Sequence, residues 1–170
     1  LADIVPTFGL QGKLTEQAAK LLGLAPGIPV TYRAGDQPNN AFSLNVLNPG
    51  EAATTAGTSG VVYAVHNQIA FDEQSRVNTF VHVNNTEKDI RNGVLMCLNG
   101  TGILNSWLRS ATGSLPYEEM NALAAKAPAG AAGLRIYPFG NGAERILANQ
   151  DSGAAIQNLQ FNLHGREHLL

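Results

Sequence analysis

The chain has 170 residues, with 11 Lys or Arg against 13 Asp or Glu and a net charge of −2, so no basic excess matches a nucleic-acid polyanion. Charged residues make up 14%, against about 25% in an average soluble chain, while a hydrophobic content of 44% excludes disorder as a description of the whole. The longest strictly apolar runs, 61–65 and 94–98, fall far short of the roughly 20 residues a membrane-spanning helix needs.

Residues 15–22 read as a short helix, with Thr15 as cap, Ala18, Ala19, Leu21 and Leu22 turned inward and Gly23 as terminator. Residues 30–34 alternate as a strand; Gly35-Asp36-Gln37 then turns the chain, and Pro38 takes the first position of a helix that Asn48-Pro49-Gly50 ends. The period then changes. Residues 52–56 and 60–65 read as strands joined by Gly57-Thr58-Ser59, residues 79–83 as a third strand, and 94–98 as a continuous apolar strand buried on both faces. Helices are expected over 103–110, carrying Ile103, Leu104, Trp107 and Leu108, and over 117–126, with a last strand at 134–138. Residues 162–170 read as the opening turns of a further helix capped by Asn162. The chain starts at Leu1 with no signal segment and stops inside that last pattern, so a piece of a longer polypeptide is expected. Gly, at 18 residues, is enriched over the usual value of about 7%, which suits many tight turns. Strands followed by helices, with an early hairpin, predict an α/β fold built on a mixed sheet with flanking helices.

Three turns carry possible chemistry. Gly35-Asp36-Gln37 delivers an aspartate from a strand end to a helix start, where open α/β sheets place ligands and where the helix dipole favours a carboxylate ready to accept a proton. Gln37 adds a donor and an acceptor suited to a hydroxyl, and the same tripeptide also suits a plain helix cap. Gly57-Thr58-Ser59-Gly60 places two hydroxyls between two glycines, a bend that phosphate oxygens could approach, or an ordinary hairpin. Asn99-Gly100-Thr101-Gly102 is a glycine turn between a strand and a helix, open either to a nucleotide or chosen for sterics.

The remaining signals are plainer. His164 and His168 have metal-pair spacing without a third ligand and read as a helix-surface pair. Cys97, the single cysteine, sits in an apolar run and reads as core, and with no internal disulfide available a reducing, cytoplasmic compartment is expected. No Gly-x-Ser-x-Gly elbow is present, which disfavours an esterase.

The order of these motifs is more distinctive than any one of them. Gly27-Ile28-Pro29-Val30 through Gly35-Asp36-Gln37, then Pro49-Gly50, then Thr55-Ala56-Gly57-Thr58-Ser59-Gly60-Val61-Val62, resembles the FGGY carbohydrate kinases. Asn99-Gly100-Thr101-Gly102 to Trp107, Tyr137-Pro138-Phe139 with Gly142-Ala143-Glu144-Arg145, and His164-Gly165-Arg166-Glu167-His168-Leu169 continue that resemblance in order, closest to the xylulokinase branch. The resemblance implies a two-lobe fold of the actin and ribonuclease-H type, in which residues 1–48 are the tail of the sugar lobe and 49–170 the first part of the ATP lobe. It implies ATP with Mg²⁺ as cofactors, a sugar as partner, D-xylulose first, no nucleic acid or membrane, and a homodimer as a compatible assembly. Asp36 is implied as catalytic base, Gln37 as a sugar contact, and Gly57, Thr58, Ser59 and Gly102 as ATP contacts, with Asp36 and the Thr58 bend facing one groove. No role is implied for the 142–145 segment, which departs from the family's Gly-Glu-Arg pattern. A kinase for another ketose or polyol (of glycerol, ribulose or gluconate type) and a non-catalytic actin-like nucleotide-binding module are the alternatives.

Overall fold

The computed structural model describes residues 4–170. The first strand, β1 (Phe8–Lys13), pairs antiparallel with β2 (Pro29–Tyr32), with Phe8 opposite Tyr32 and Lys13 opposite Pro29. Between them lies α1 (Glu16–Leu22), capped by the Thr15 hydroxyl, which accepts from the Ala18 N–H at 3.2 Å, and closed by Gly23 at φ 68°. Only Ala19 of this helix is buried; Leu21 and Leu22, expected inside, are 81% and 63% exposed. The second helix, α2 (Asp36–Ser43), buries Pro38 and Ala41. It starts two residues before the expected position, with Gly35 as cap and Pro38 as its third residue, which the missing N–H of proline still permits within the first turn.

Strands β3 (Ala52–Ala56), β4 (Gly60–His66), β5 (Asn78–Val81) and β6 (Asn92–Leu98) form a four-stranded sheet in the order β3-β4-β6-β5, with β5 and β6 antiparallel. In β6 only Leu95 of the expected 94–98 run is buried, and Cys97 is half-buried rather than core. After β6 come α3 (Thr101–Ala111), α4 (Tyr117–Ala124), the strand pair β7 (Arg135–Tyr137) with β8 (Ala155–Gln157), and α5 (Arg166–Leu169). The last helix is shorter than expected. The Gln160 N–H donates to His164 Nδ1 and the Gly165 N–H to His168 Nδ1, so both imidazoles hold turn amides ahead of and at its start.

Contacts divide the chain into two units, each drawn from several segments. The first comprises residues 1–53, 63–71 and 78–95. Its centre holds Ala41, Tyr63, Val65, His82 and Val83, all buried. The His82 ring, 0% exposed, lies between the Val46 carbonyl, 3.0 Å from Nε2, and the Tyr63 hydroxyl, 3.1 Å from Nδ1. A carbonyl only accepts, so Nε2 carries the proton and Nδ1 accepts from Tyr63. Burial pushes the Tyr63 hydroxyl up to about 12, so it remains a donor, and burial likewise lowers His82 from its ordinary 6.5. Gly93 on β6 makes room for this pair, because a Cβ there would lie 1.9 Å from the Tyr63 ring.

Helix α2 ends at Ser43, five residues ahead of the expected break at Asn48-Pro49-Gly50, and the turn at 47–51 is held separately. The Glu51 carboxylate accepts from the Leu47 and Asn48 N–H groups and from the Asn48 side chain, at 2.7 to 3.0 Å, and these bonds hold its pKa below the usual carboxylate range. Asn84 Nδ2 donates to the Leu47 carbonyl at 3.0 Å, tying the same turn to the stretch after β5.

The second unit comprises residues 54–62, 72–77 and 96–170. Leu108, Thr112, Met120, Leu134 and Glu144 are among its buried residues. Arg109 of α3 donates to the Leu115 carbonyl at 2.7 Å and stacks over Tyr117, which fixes the α3–α4 connection. Asp72 and Arg76 pair at 2.8 Å, and the guanidinium holds the Asp72 carboxyl down to about 2. Among the described residues no helix is long and apolar enough to cross a membrane.

Candidate functional site

The acid of the Gly35-Asp36-Gln37 motif belongs to the first unit. β2 ends at Tyr32, and Gly35, extended at φ −67° and ψ 158°, turns the chain into α2 while its carbonyl accepts from the Asn39 N–H at 3.1 Å. Asp36 is then the first helical residue, and its exposed carboxylate accepts from the Gln37 N–H at 2.8 Å. One oxygen thus serves the helix start, while the carboxylate as a whole remains open to solvent and to any hydroxyl brought to it. Gly35 rather than Asp36 takes the cap position, and no side-chain cap bond forms there, so the Asp36 carboxylate keeps an acceptor in reserve. Tyr32 donates to Asn39 Oδ1 at 2.6 Å and packs with Phe8 and Phe42, which fixes the helix against the strand pair behind it. A cavity of about 360 Å³ adjoins this helix start, lined by Thr7, Arg33, Gly35, Pro38, Val81 and Val83 among others.

The Gly57-Thr58-Ser59-Gly60 bend and the start of α3 both belong to the second unit, and they meet. The Gly102 and Ile103 N–H groups donate to the Thr58 carbonyl at 3.0 and 3.2 Å. Glycines make that approach possible: a Cβ on Gly102 would lie 2.2 Å from the Gly57 carbonyl oxygen, and one on Gly60 would lie 2.3 Å from the Thr101 hydroxyl. Three predicted nucleotide contacts, Gly57, Thr58 and Gly102, therefore form one patch with Ser59. The two helix amides already have an acceptor in Thr58, so what the bend offers an anion is the exposed Thr58 and half-buried Ser59 hydroxyls.

A residue without an expected role supports this patch. Glu144 is 0% exposed, and its two carboxylate oxygens accept from the Asn99 N–H at 3.0 and 3.2 Å. Asn99 also donates through Nδ2 to the Ala143 carbonyl at 2.9 Å and accepts at its own carbonyl from Asn141 Nδ2 at 3.1 Å. The signal in the sequence was an acidic residue in a turn-rich stretch, which does not say what it holds. Along the α3 stripe of Gly100, Ile103, Leu104 and Trp107 runs an apolar groove of about 250 Å³, closed by Pro138 and Gly140. No group of three metal-ligating side chains occurs among the described residues.

No family model matches the chain. It is similar to the gluconokinase of Bacillus licheniformis, 25% identical over 181 aligned positions that take in 100% of this chain and 34% of that protein. It is also similar to the xylulose kinase of Haemophilus influenzae, 29% identical over 158 positions, or 93% of this chain and 31% of the relative. The crystal structure of xylulose kinase from Rhodospirillum rubrum superposes with a TM-score of 0.77 at 26% identity, covering 97% of this chain and 32% of that one. The chain spans about a third of the length of the curated relatives it matches.

Proposed function

We propose that this chain forms part of an ATP-dependent kinase that phosphorylates a sugar hydroxyl, a reading supported by its similarity to gluconokinases and xylulose kinases, sugar kinases of the FGGY family, and by the α/β fold it shares with them. In this reading residues 1–48 supply the end of the sugar lobe and residues 49–170 open the ATP lobe. Asp36 is the base. It takes the proton of the acceptor hydroxyl as that oxygen bonds to the γ-phosphorus, the bond from phosphorus to the bridging oxygen breaks, and ADP leaves. Gln37 contacts the sugar beside it. Thr58 and Ser59 meet the ATP phosphates, with Gly57 and Gly102 giving the close backbone approach. Mg²⁺ carried by the nucleotide would neutralise charge on its phosphates. A cytoplasmic site of action follows from the same reading.

The observation that carries the proposal is the packing of the Thr58 bend on the Gly102 turn, which joins two motifs 44 positions apart whose residues separately suggest phosphate approach. D-xylulose is the acceptor favoured by the xylulose kinases. Gluconate is the second, on the strength of the gluconokinase whose match takes in the whole chain. The test is ADP release by the complete gene product with MgATP and, in turn, xylulose, gluconate and glycerol. Release dependent on one of the first two supports the reading, and no release with any acceptor overturns it.

A further inference from the structure

We propose that Glu144 is a positioning residue for the nucleotide patch, acting through Asn99; the role of the patch itself rests on the kinase reading above. Three observations carry it. First, the carboxylate is fully buried and is spent on a backbone amide, with both oxygens on the Asn99 N–H. A buried carboxylate is costly to keep unless its bonds fix something, because its desolvation has to be offset by charge-assisted hydrogen bonds. Second, the loop that carries it is closed on itself. The Glu144 N–H donates to the Gln150 carbonyl at 3.0 Å, the Asn149 N–H donates to the Glu144 carbonyl at 2.9 Å, and Ala148 and Asn149 both sit in the left-handed region to make that closure. The carboxylate is therefore presented from a rigid support.

Third, Asn99 is held at three polar groups. Its N–H goes to Glu144, its side-chain amide to Ala143, and its carbonyl to Asn141. The next residue, Gly100, is pressed on the same segment: a Cβ there would lie 1.7 Å from the Pro138 carbonyl oxygen. Three residues after Asn99, Gly102 donates to Thr58. A line of contacts thus runs from the Glu144 carboxylate to the Asn99 N–H, along the chain to Gly102, and from its N–H to the hydroxyl-bearing bend. Loss of the carboxylate loosens the turn at its root, and the bend, whose Thr58 carbonyl is tied to that turn by two α3 amides, shifts with it.

The test uses Glu144→Gln, which keeps the shape and one acceptor but turns an amide NH₂ toward the Asn99 N–H. In the complete gene product, amide hydrogen exchange at Gly102 and Ile103 is expected to rise about tenfold or more, since an unsatisfied buried donor weakens the local structure by that order. Exchange along the β7–β8 ladder is expected to stay the same. Unchanged exchange at Gly102 and Ile103, or an equal rise along β7–β8, overturns the proposal. Should the substitution prevent folding, Asn141→Ala removes only one exposed bond to Asn99; a smaller rise confined to Gly102 and Ile103 supports the clamp, and no rise overturns it. In the complete gene product, Glu144→Gln is expected to raise KM for MgATP about tenfold with KM for the acceptor unchanged, as small misplacements of a binding group do. Equal changes in both constants overturn a nucleotide-side role. If the unsubstituted enzyme turns over no acceptor, the kinase reading fails, and the exchange measurement still decides the clamp.

Discussion

The acid turn at Asp36 and the hydroxyl-bearing bend at Thr58 are built by opposite means. Asp36 is set by local structure: a strand end, an extended glycine and one hydrogen bond to the next residue's amide place an exposed carboxylate at a helix start. Thr58 is set by distant parts of the chain, with its carbonyl receiving two α3 amides and the α3 turn in turn anchored on a buried glutamate 45 positions after Asn99. A group that accepts a proton needs freedom to meet its hydroxyl. In the proposed kinase, a patch that stabilises transferring phosphate needs preorganisation, which costs contacts from elsewhere in the fold. The local device is cheap to build and easy to read; the distributed one is neither.

The comparison breaks most sharply in activity. Asp36→Asn in the complete gene product should lower kcat by about 10²–10⁴-fold, the usual contribution of a general base, with little change in KM. Turnover close to normal would remove Asp36 from the role. Next comes stability. Gly93→Ala drives a methyl into the buried Tyr63 ring and should destabilise by about 1–3 kcal/mol or more in chemical denaturation. Gly102→Ala should cost less overall, because Ala favours the helix by about 1 kcal/mol and the bend it strikes can separate from α3. Its effect should appear instead as faster exchange at Ile103. An equal global loss from both substitutions would contradict the picture of a bend held at a few points.

The smallest effect is in pH. His82 has a folded pKa below its unfolded 6.5, so the unfolded chain binds the extra proton first as pH falls. Its contribution is complete above about pH 6.5 and is lost as pH drops from there through the folded value. Denaturation midpoints measured between pH 5 and 8 should decline on the acid side, and His82→Gln should flatten that part of the curve. A slope unaffected by the substitution would assign the decline to other groups.

How legible each region was follows the same division. The 52–56 and 60–66 strands were readable because two glycines bracket a turn between alternating residues. Helix α1 was readable from Thr15 and Gly23, yet the inward side was not, since Ala19 alone finds a partner surface. Strands β1 and β8 escaped notice. β1 contains two glycines and pairs with an irregular register, and β8 is three residues long within turn-rich sequence, so each exists only through its partner strand. Asp36, Thr58 and Gly102 stood out by motif. Glu144 appeared only within a motif given no role, because its meaning lies in a hydrogen bond to Asn99 that no local pattern encodes.

The most direct test of a division of labour between acid and bend is to measure, on the complete gene product, MgATP affinity and single-turnover phosphoryl transfer together for Asp36→Asn and Thr58→Val. The account predicts that Asp36→Asn keeps nucleotide affinity and loses the transfer step, while Thr58→Val weakens MgATP binding more than acceptor binding. The same pattern in both variants, or weakened nucleotide binding in Asp36→Asn alone, would contradict it.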